Sequence, residues 1–521
     1  MKVVHLCTDK RGGAARAMLN LHFGQLEAGV SSTIITAEDL ENQSPWHAEC
    51  HRRYATDLLV WSNRTELSNT HFSLDCLGKD LSGHPAVAEA DVIHLHWVAD
   101  FLTSESIHNL VRLGKPIVWT LHDMRPFTGG CHFSAGCQNF SRDCSPCPQL
   151  ITNYFGFTRR TLEAGVSALS QSDVTFVAPS QWIADQFTLS LLGSRHQVMV
   201  VPYGVDANLF QSGNQQAARK DLKLPESPKY ILLASASFSE KRKGFEMARG
   251  VLDGLKATVA ESELQKMNVR VLVCGKTQPE LAGWHSNFLG EVPVAKMPLV
   301  YRAADVMLFT PSEDNLPNVV LEAMACGLPV VTHAVGGLPD FFDSNLRQPC
   351  QASANSAQAM SKMVERLLRD ERLRLAVGAD SQARVSAAFS VEAQVKSYLD
   401  LYSTILQKTR QNHLFASKGL AVPHKTAVSC VIYPALEKHL NPDTPSTCAP
   451  LFYSLRWWLE KKEVLREKSE ALSGAPLNLF KRIATLFCRA AICFASIRLR
   501  SLEWLVLRRG RSEVNAESRL D

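Results

Sequence analysis

The sequence predicts an α/β protein built from two similar halves and followed by a separate basic tail. Two observations set the class. Short, near-continuous apolar runs alternate with helical patterns, and the same strand–loop–helix order restarts near Tyr230. A third observation, the change of composition past about residue 408, sets off the tail. Apolar runs of this kind suit a parallel sheet covered on both faces, where each strand is buried on both sides.

The elements follow in order. Val3 to Cys7 reads as a buried strand, Thr8 to Gly13 as a polar loop, and Ala14 to Ala28 as a helix stopped by Gly29. With the β-branched run Ser32 to Thr36, this makes a βαβ unit. Val92–Trp97, Ile117–His122 and Val174–Ala178 are further expected strands of the first half. The segment Gln197–Phe210, with Pro202 and Gly204, is the expected crossing between halves. In the second half, strands are expected at Tyr230–Ala236, Val269–Cys274, Val306–Thr310 and Val330–Thr332. Helices are expected at Phe245–Ala257, Asn318–Ala325, Ala357–Arg369 and Val391–Gln407. The domains are then residues 1–196, 197–408 and a tail, 409–521.

Composition narrows the class. At roughly 100–200 residues per domain, 521 residues hold two to four domains. With 45% apolar and 21% charged residues, disorder is not indicated. The balance of 56 basic against 51 acidic residues is too mild to point to nucleic acid. The 14 cysteines do not follow a small secreted-domain pattern, and the first apolar run is too short for a signal peptide. The longest membrane candidate, Ile483 to Ile497, is split by Arg489, so no span is expected. A large cytoplasmic α/β enzyme remains.

Several loops carry chemistry. Thr8-Asp9-Lys10-Arg11-Gly12-Gly13 leads into a helix, so its glycines let backbone amides approach an anion; a plain tight turn explains it equally well. The spaced glycines of a dinucleotide fingerprint are missing. Lys241, Arg242 and Lys243 stand at the start of another helix, a candidate diphosphate clamp against the alternative of a solvated turn. The richest segment runs Pro311-Ser312-Glu313-Asp314-Asn315-Leu316-Pro317-Asn318 into a helix that carries Glu322 among apolar neighbours. A carboxylate in such company needs a partner, and a pair of sugar hydroxyls is a natural one. Gly336-Gly337 offers another close backbone approach. His94 and His96 alternate along a strand and share a face, where a structural role is favoured over catalysis.

These segments, taken together over about residues 1–408, resemble the GT-B glycosyltransferases of family 4 (group 1), and the wording Glu-Asp-Asn-Leu-Pro-Asn resembles the branch that builds exopolysaccharides such as colanic acid. Asp314 and Glu322 have the family's spacing of two acids eight positions apart, with Asp314 in place of the usual Glu. Gly204-Val205-Asp206 with Phe210 resembles its interdomain motif, and Lys243-Gly244 its phosphate-binding pair. The family's usual Arg after the strand is absent; Ser237 stands near that place, and Arg242 is the candidate substitute. Thr120-Leu121-His122-Asp123 resembles the loop that points a His at the donor sugar, and Gly12-Gly13 the acceptor-side glycine loop.

The resemblance implies a GT-B fold, with two Rossmann-like domains facing across a cleft. It implies retaining transfer from a nucleotide sugar, UDP- or GDP-linked, with no cofactor or metal required. His122, Asp314 and Glu322 are the implied catalytic residues. Gly12, Gly13, Arg242, Lys243, Asn315, Leu316, Pro317, Asn318 and Glu322 are the implied donor-binding set. The expected partners are the donor and a saccharide or lipid-linked acceptor, with no nucleic acid. The alternatives are a nucleotide-sugar epimerase of similar fold and a catalytically inactive scaffold.

Two features fall outside the resemblance. Cys131, Cys137, Cys144 and Cys147, spaced C-x5-C-x6-C-x2-C, fit either a structural zinc knuckle or four free thiols. The tail stretch Leu477 to Arg509 mixes seven Lys and Arg with Leu, Ile, Phe and Trp504. It suits an interfacial helix on an anionic membrane, which would make the enzyme peripheral at the inner face of the cytoplasmic membrane, or a helix packed on the enzyme itself.

Overall fold

The computed structural model describes residues 1–43 and 56–416, apart from positions 58, 77, 171, 260, 344–345, 348–349 and 353–355. Two six-stranded parallel sheets form the framework. The first has strands β1 (Lys2–Cys7), β2 (Ser31–Thr36), β3 (Val92–Leu95), β4 (Ile117–Thr120), β5 (Thr175–Ala178) and β6 (Val198–Val200), in the order β2-β1-β3-β4-β5-β6. The second has β7 (Lys229–Ala234), β8 (Val269–Cys274), β9 (Ser286–Phe288), β10 (Val306–Leu308), β11 (Val330–His333) and β12 (Gln351–Ala352), in the order β12-β11-β10-β7-β8-β9. In β3, β4, β10 and β11 every residue is buried, as expected for strands covered on both faces.

Each sheet reverses its strand order beside its first strand, β1 or β7. In open α/β sheets, ligands bind outside the carboxyl ends of the strands near such a reversal. The loop after β1 leads into the Gly12–Glu27 helix, and the loop after β7 leads through Lys241–Lys243 into the Phe245–Thr258 helix. The loop after β10 leads into the Asn318–Ala325 helix. All three loops carry residues singled out in the sequence.

The expected boundary at residues 196/197 is corrected. Val198–Val200 pairs with β5 and completes the first sheet, so the crossing lies after it. A second crossing was not foreseen. The terminal helix, Val391–Ala416, returns to the first half and packs Val395, Tyr398, Leu401 and Tyr402 against Val3, Val92, Val118, Val177 and Val201. Its apolar face caps one side of the first sheet, so residues 391–408 belong there structurally. At the crossings, the Gly204 amide donates to Gln394 Oε1 at 3.0 Å and Asn20 Nδ2 donates to the Gly204 carbonyl at 2.9 Å.

The tail stretch Leu477 to Arg509 lies outside the described residues. Among the described residues, no helix is long and apolar enough to cross a membrane.

Candidate active site

The cationic turn folds back on the acidic loop. Gly244 has φ +67°, and a Cβ there would stand 1.7 Å from the Thr310 carbonyl oxygen. Only glycine lets the turn lie this close to the end of β10. As a result Lys243 Nζ reaches Asp314 Oδ2 at 2.7 Å, and Arg242 Nη1 reaches the same oxygen at 3.1 Å. Arg242 also holds Glu240 at 2.8 Å, and its guanidinium lies over the Phe133 ring, 4.0 Å from the centroid. Burial pushes the Asp314 carboxyl up, but the Lys243 and Arg242 cations outweigh it and hold the group below the usual carboxylate range. Burial, with Arg242 beside it, lowers the Lys243 ammonium. Asp314 and Glu240 balance the two cations, which stand together at a helix start.

Glu322 lies on the Asn318–Ala325 helix and is 1% exposed. Tyr301 donates its hydroxyl to Glu322 Oε2 at 2.7 Å, and Arg16, from the helix after the glycine loop, pairs with Oε1 across the cleft. Burial raises the Glu322 carboxyl, and Arg16 and Tyr301 oppose that shift. The preceding helical turn also spans the halves, since Asn318 Nδ2 donates to the Gly13 carbonyl at 2.9 Å.

Asn315 is a bridge. Its Nδ2 donates to the carbonyls of Leu121 and His122 at 2.9 and 3.1 Å, and Ser180 Oγ donates to its Oδ1 at 2.6 Å. Gly336 and Gly337 press against the Asp314 and Asn315 carbonyls, where a Cβ would stand 1.9 Å away in each case. Glu313 accepts from the Ala135 amide at 3.0 Å and from Ser134 Oγ at 3.3 Å. The acidic loop is thus fixed from both halves.

His122 begins a buried chain of hydrogen bonds whose direction can be deduced. The Gln25 amide nitrogen donates to the Tyr402 hydroxyl at 3.3 Å, which turns Gln25 Oε1 toward His5 Nε2 at 2.9 Å. His5 Nε2 therefore carries a proton and its Nδ1 accepts from His96 Nε2 at 2.9 Å. His96 Nδ1 then accepts from His122 Nε2 at 3.0 Å, and His122 Nδ1 accepts from the Tyr203 hydroxyl at 2.6 Å. From Tyr402 the chain branches to His94 Nδ1 at 2.6 Å, and His94 Nε2 donates to Thr120 Oγ1 at 2.8 Å. One neutral Nε2–H tautomer throughout satisfies every ring nitrogen. Burial lowers His5 and His122 to about 4, and His94 and His96 well below their ordinary value. His5, His94 and His96 bring their ligand atoms within 4.8 Å of one another, but each ring nitrogen is already spent on a hydrogen bond, so this trio is a polar core and not a metal centre. The expected structural role of His94 and His96 agrees with this arrangement.

The chain divides between two family descriptions, and the division falls just after β6. Residues 11–209 match "Glycosyltransferase Family 4" and residues 214–384 match "Glycosyl transferases group 1". The chain belongs to the family 4 (group 1) glycosyltransferases. Its described residues form their GT-B fold. It is 24% identical over 427 residues to the colanic acid biosynthesis glycosyl transferase WcaC of Escherichia coli, covering 76% of this chain and 97% of that one. It is 27% identical to a D-inositol 3-phosphate glycosyltransferase of Segniliparus rotundus, covering 64% of this chain and 69% of the other. Among solved structures, the Anabaena HepE protein in complex with UDP-glucose superposes with a TM-score of 0.50 at 16% identity, covering 78% of this chain and all of that one.

Within this glycosyltransferase, Arg242, Lys243, Asp314, Asn315, Asn318, Glu322, Gly13 and His122 converge on the cleft between the sheets. Gly12 starts the helix beside them, and Leu316 and Pro317 connect Asn315 to Asn318. The geometry differs from the sequence expectation in two respects. Lys243 is paired with Asp314 rather than standing as a free cation, and Asn315 is spent on joining the halves. Sequence reasoning missed Arg16, Tyr301 and Tyr203. Arg16 lies just past the glycine loop, four residues after Gly12, and the helical spacing was its signal. Tyr301 and Tyr203 are tyrosines among apolar residues, and no local pattern distinguishes them from core. None of the four cysteines is in a disulfide, and among the described residues no other group of three metal-ligating atoms approaches as closely as the histidine trio.

Proposed function

We propose that the enzyme transfers a sugar, with retention of anomeric configuration, from a nucleotide-sugar donor to a lipid-linked saccharide in exopolysaccharide assembly. The observation that carries this reading is the adjacent cation pair Arg242 and Lys243 at the start of the Phe245–Thr258 helix, one loop away from Glu322. A diphosphate competes with Asp314 for the two cations, and they stabilise the charge that develops as the nucleoside diphosphate departs. Glu322, oriented by Tyr301, accepts from donor hydroxyls once Arg16 is displaced. The acceptor hydroxyl attacks the anomeric carbon on the face the diphosphate leaves, and its proton passes to a departing phosphate oxygen. The two facing carboxylates of a glycosidase mechanism are not among the residues gathered here. The HepE complex with UDP-glucose supports a nucleotide sugar as donor, and the WcaC relative supports a polysaccharide product.

A lipid-linked acceptor stays at the membrane, and the basic-apolar tail stretch supplies both parts of a peripheral tether, each Arg near anionic headgroups adding about 1 kcal/mol. Incubation with a panel of UDP- and GDP-sugars tests the function. Release of one nucleoside diphosphate with an α-linked product from an α-linked donor is expected. Release of none, or a product of inverted configuration, contradicts the reading. Full-length protein should sediment with anionic vesicles at low salt and a chain ending after Ala416 should not; equal behaviour of the two removes the tether.

A further inference from the structure

We infer that Cys131, Cys137, Cys144 and Cys147 form a structural zinc site that buttresses the donor-site side of the cleft. The spacing left a zinc knuckle and free thiols level; the surroundings of the sulfurs separate them. Backbone amides are aimed at two of the four. Gly129 N–H donates to Cys144 Sγ at 3.1 Å, and Asn139 N–H donates to Cys137 Sγ at 3.4 Å. A neutral thiol is a weak acceptor, whereas a metal-bound thiolate takes such bonds readily, and they orient it toward the metal.

The second observation is Arg64. Its Nη2 donates to Ser68 O at 2.8 Å and to Gln149 Oε1 at 3.0 Å, and its Nε donates to Ser68 O at 3.0 Å. Its Nη1 is buried and has no partner. The cation acts electrostatically on Cys131 and Cys147, and no carboxylate pairs with it among the described residues. An unpaired buried guanidinium N–H beside neutral thiols is costly. Four thiolates around one Zn2+ carry a net charge of about −2, which gives that N–H the anion it lacks. Tetrahedral zinc, with Zn–S of about 2.3 Å, needs sulfurs roughly 3.8 Å apart. Among the described residues the four sulfurs do not gather as closely as the His5, His94 and His96 nitrogens, so a tetrahedral site requires them to close up.

The site matters for the cleft because of what the loop carries between its first two cysteines. Phe133 lies under Arg242, while Ser134 and Ala135 hold Glu313. Gln149, which meets Arg64, donates to the Phe133 carbonyl at 2.8 Å. A metal tying Cys131 and Cys137 to Cys144 and Cys147 fixes this segment against the second half. The inference is independent of which sugar is transferred.

Full-length reduced protein is the material for the test. Elemental analysis after exhaustive dialysis should give about one zinc per chain, and Co2+ exchanged into that protein should give the visible bands and thiolate charge transfer of tetrahedral sulfur coordination. Cys144→Ser and Cys147→Ser should lose the metal, while Cys76→Ser, outside the set, keeps it. Arg64→Met should weaken zinc retention against a chelator by tenfold or more with the four thiols intact. Zinc-free wild-type protein whose four thiols react freely with a thiol reagent, together with a cobalt spectrum lacking sulfur charge transfer, overturns the site; these two measurements need no variant to fold.

Discussion

At the level of single residues, buried charges and tautomers decide what each group does. Glu322 is the clearest case. Burial raises its carboxyl, and Arg16 offsets that by pairing across the cleft. In Arg16→Gln the carboxylate keeps only Tyr301, so its folded pKa rises further above the unfolded value. The folded state then binds the proton more tightly, and stability is lost as pH rises through the carboxylate range. Arg16 is partly exposed, so the loss at pH 8 should be about 1–3 kcal/mol, below the figure for a fully buried pair. Thermal melts should show the gap from wild type close near pH 4; a gap independent of pH would contradict the assignment. Tyr203→Phe removes the hydroxyl that donates to His122 Nδ1 and should cost about 1–3 kcal/mol while freeing the ring to turn. If His122 meets the reacting sugar, His122→Ala and Tyr203→Phe should lower kcat more than nucleotide affinity. An equal loss of UDP or GDP binding, with turnover otherwise intact, would remove His122 from the chemistry. The acids and cations here were legible because their spacing is local. Tyr301, Tyr203 and Gln25 were not, because each acts through a partner distant in sequence.

Among the elements, the terminal helix and the histidine chain work together. Tyr398 and Tyr402 bring hydroxyls from Val391–Ala416 onto Thr120, His94 and Gln25, so the helix both covers the first sheet and completes its polar core. The pH consequence has a definite sign. His5 and His122 are lowered from 6.5 to about 4, so the unfolded chain takes up protons first as pH falls. The contribution of these two groups is full above pH 6.5, is lost as pH falls from 6.5 to 4, and changes little below that. Two such shifts give a loss on the order of several kcal/mol. Denaturant melts of His5→Gln should show a shallower fall over that interval; an unchanged slope contradicts the neutral chain. The helix itself was readable from its periodicity, and its start at Val391 was placed correctly. Its destination was not, because an apolar stripe says that a helix is buried without saying against which half. Short strands at the sheet edges, β6, β9 and β12, were also missed, having two or three residues and no alternation to reveal them.

For the whole molecule, the account is a glycosyltransferase whose two sheets meet through the acidic loop. Asn315, Asn318 and Glu322 each bond to the first half, while Asp314 faces the cations of the second. The same loop therefore binds the halves together and forms the donor corner. The central claim is that Lys243 and Arg242 cradle a diphosphate. Steady-state transfer by Lys243→Ala, on the sugar nucleotide that the wild type turns over, tests it most directly, with a thermal melt to confirm the variant is folded. The account predicts kcat/KM lower by roughly 30- to 1,000-fold, the ~2–4 kcal/mol of one lost transition-state cation, with partial recovery in Lys243→Arg. Wild-type kcat/KM in a folded Lys243→Ala enzyme would contradict it.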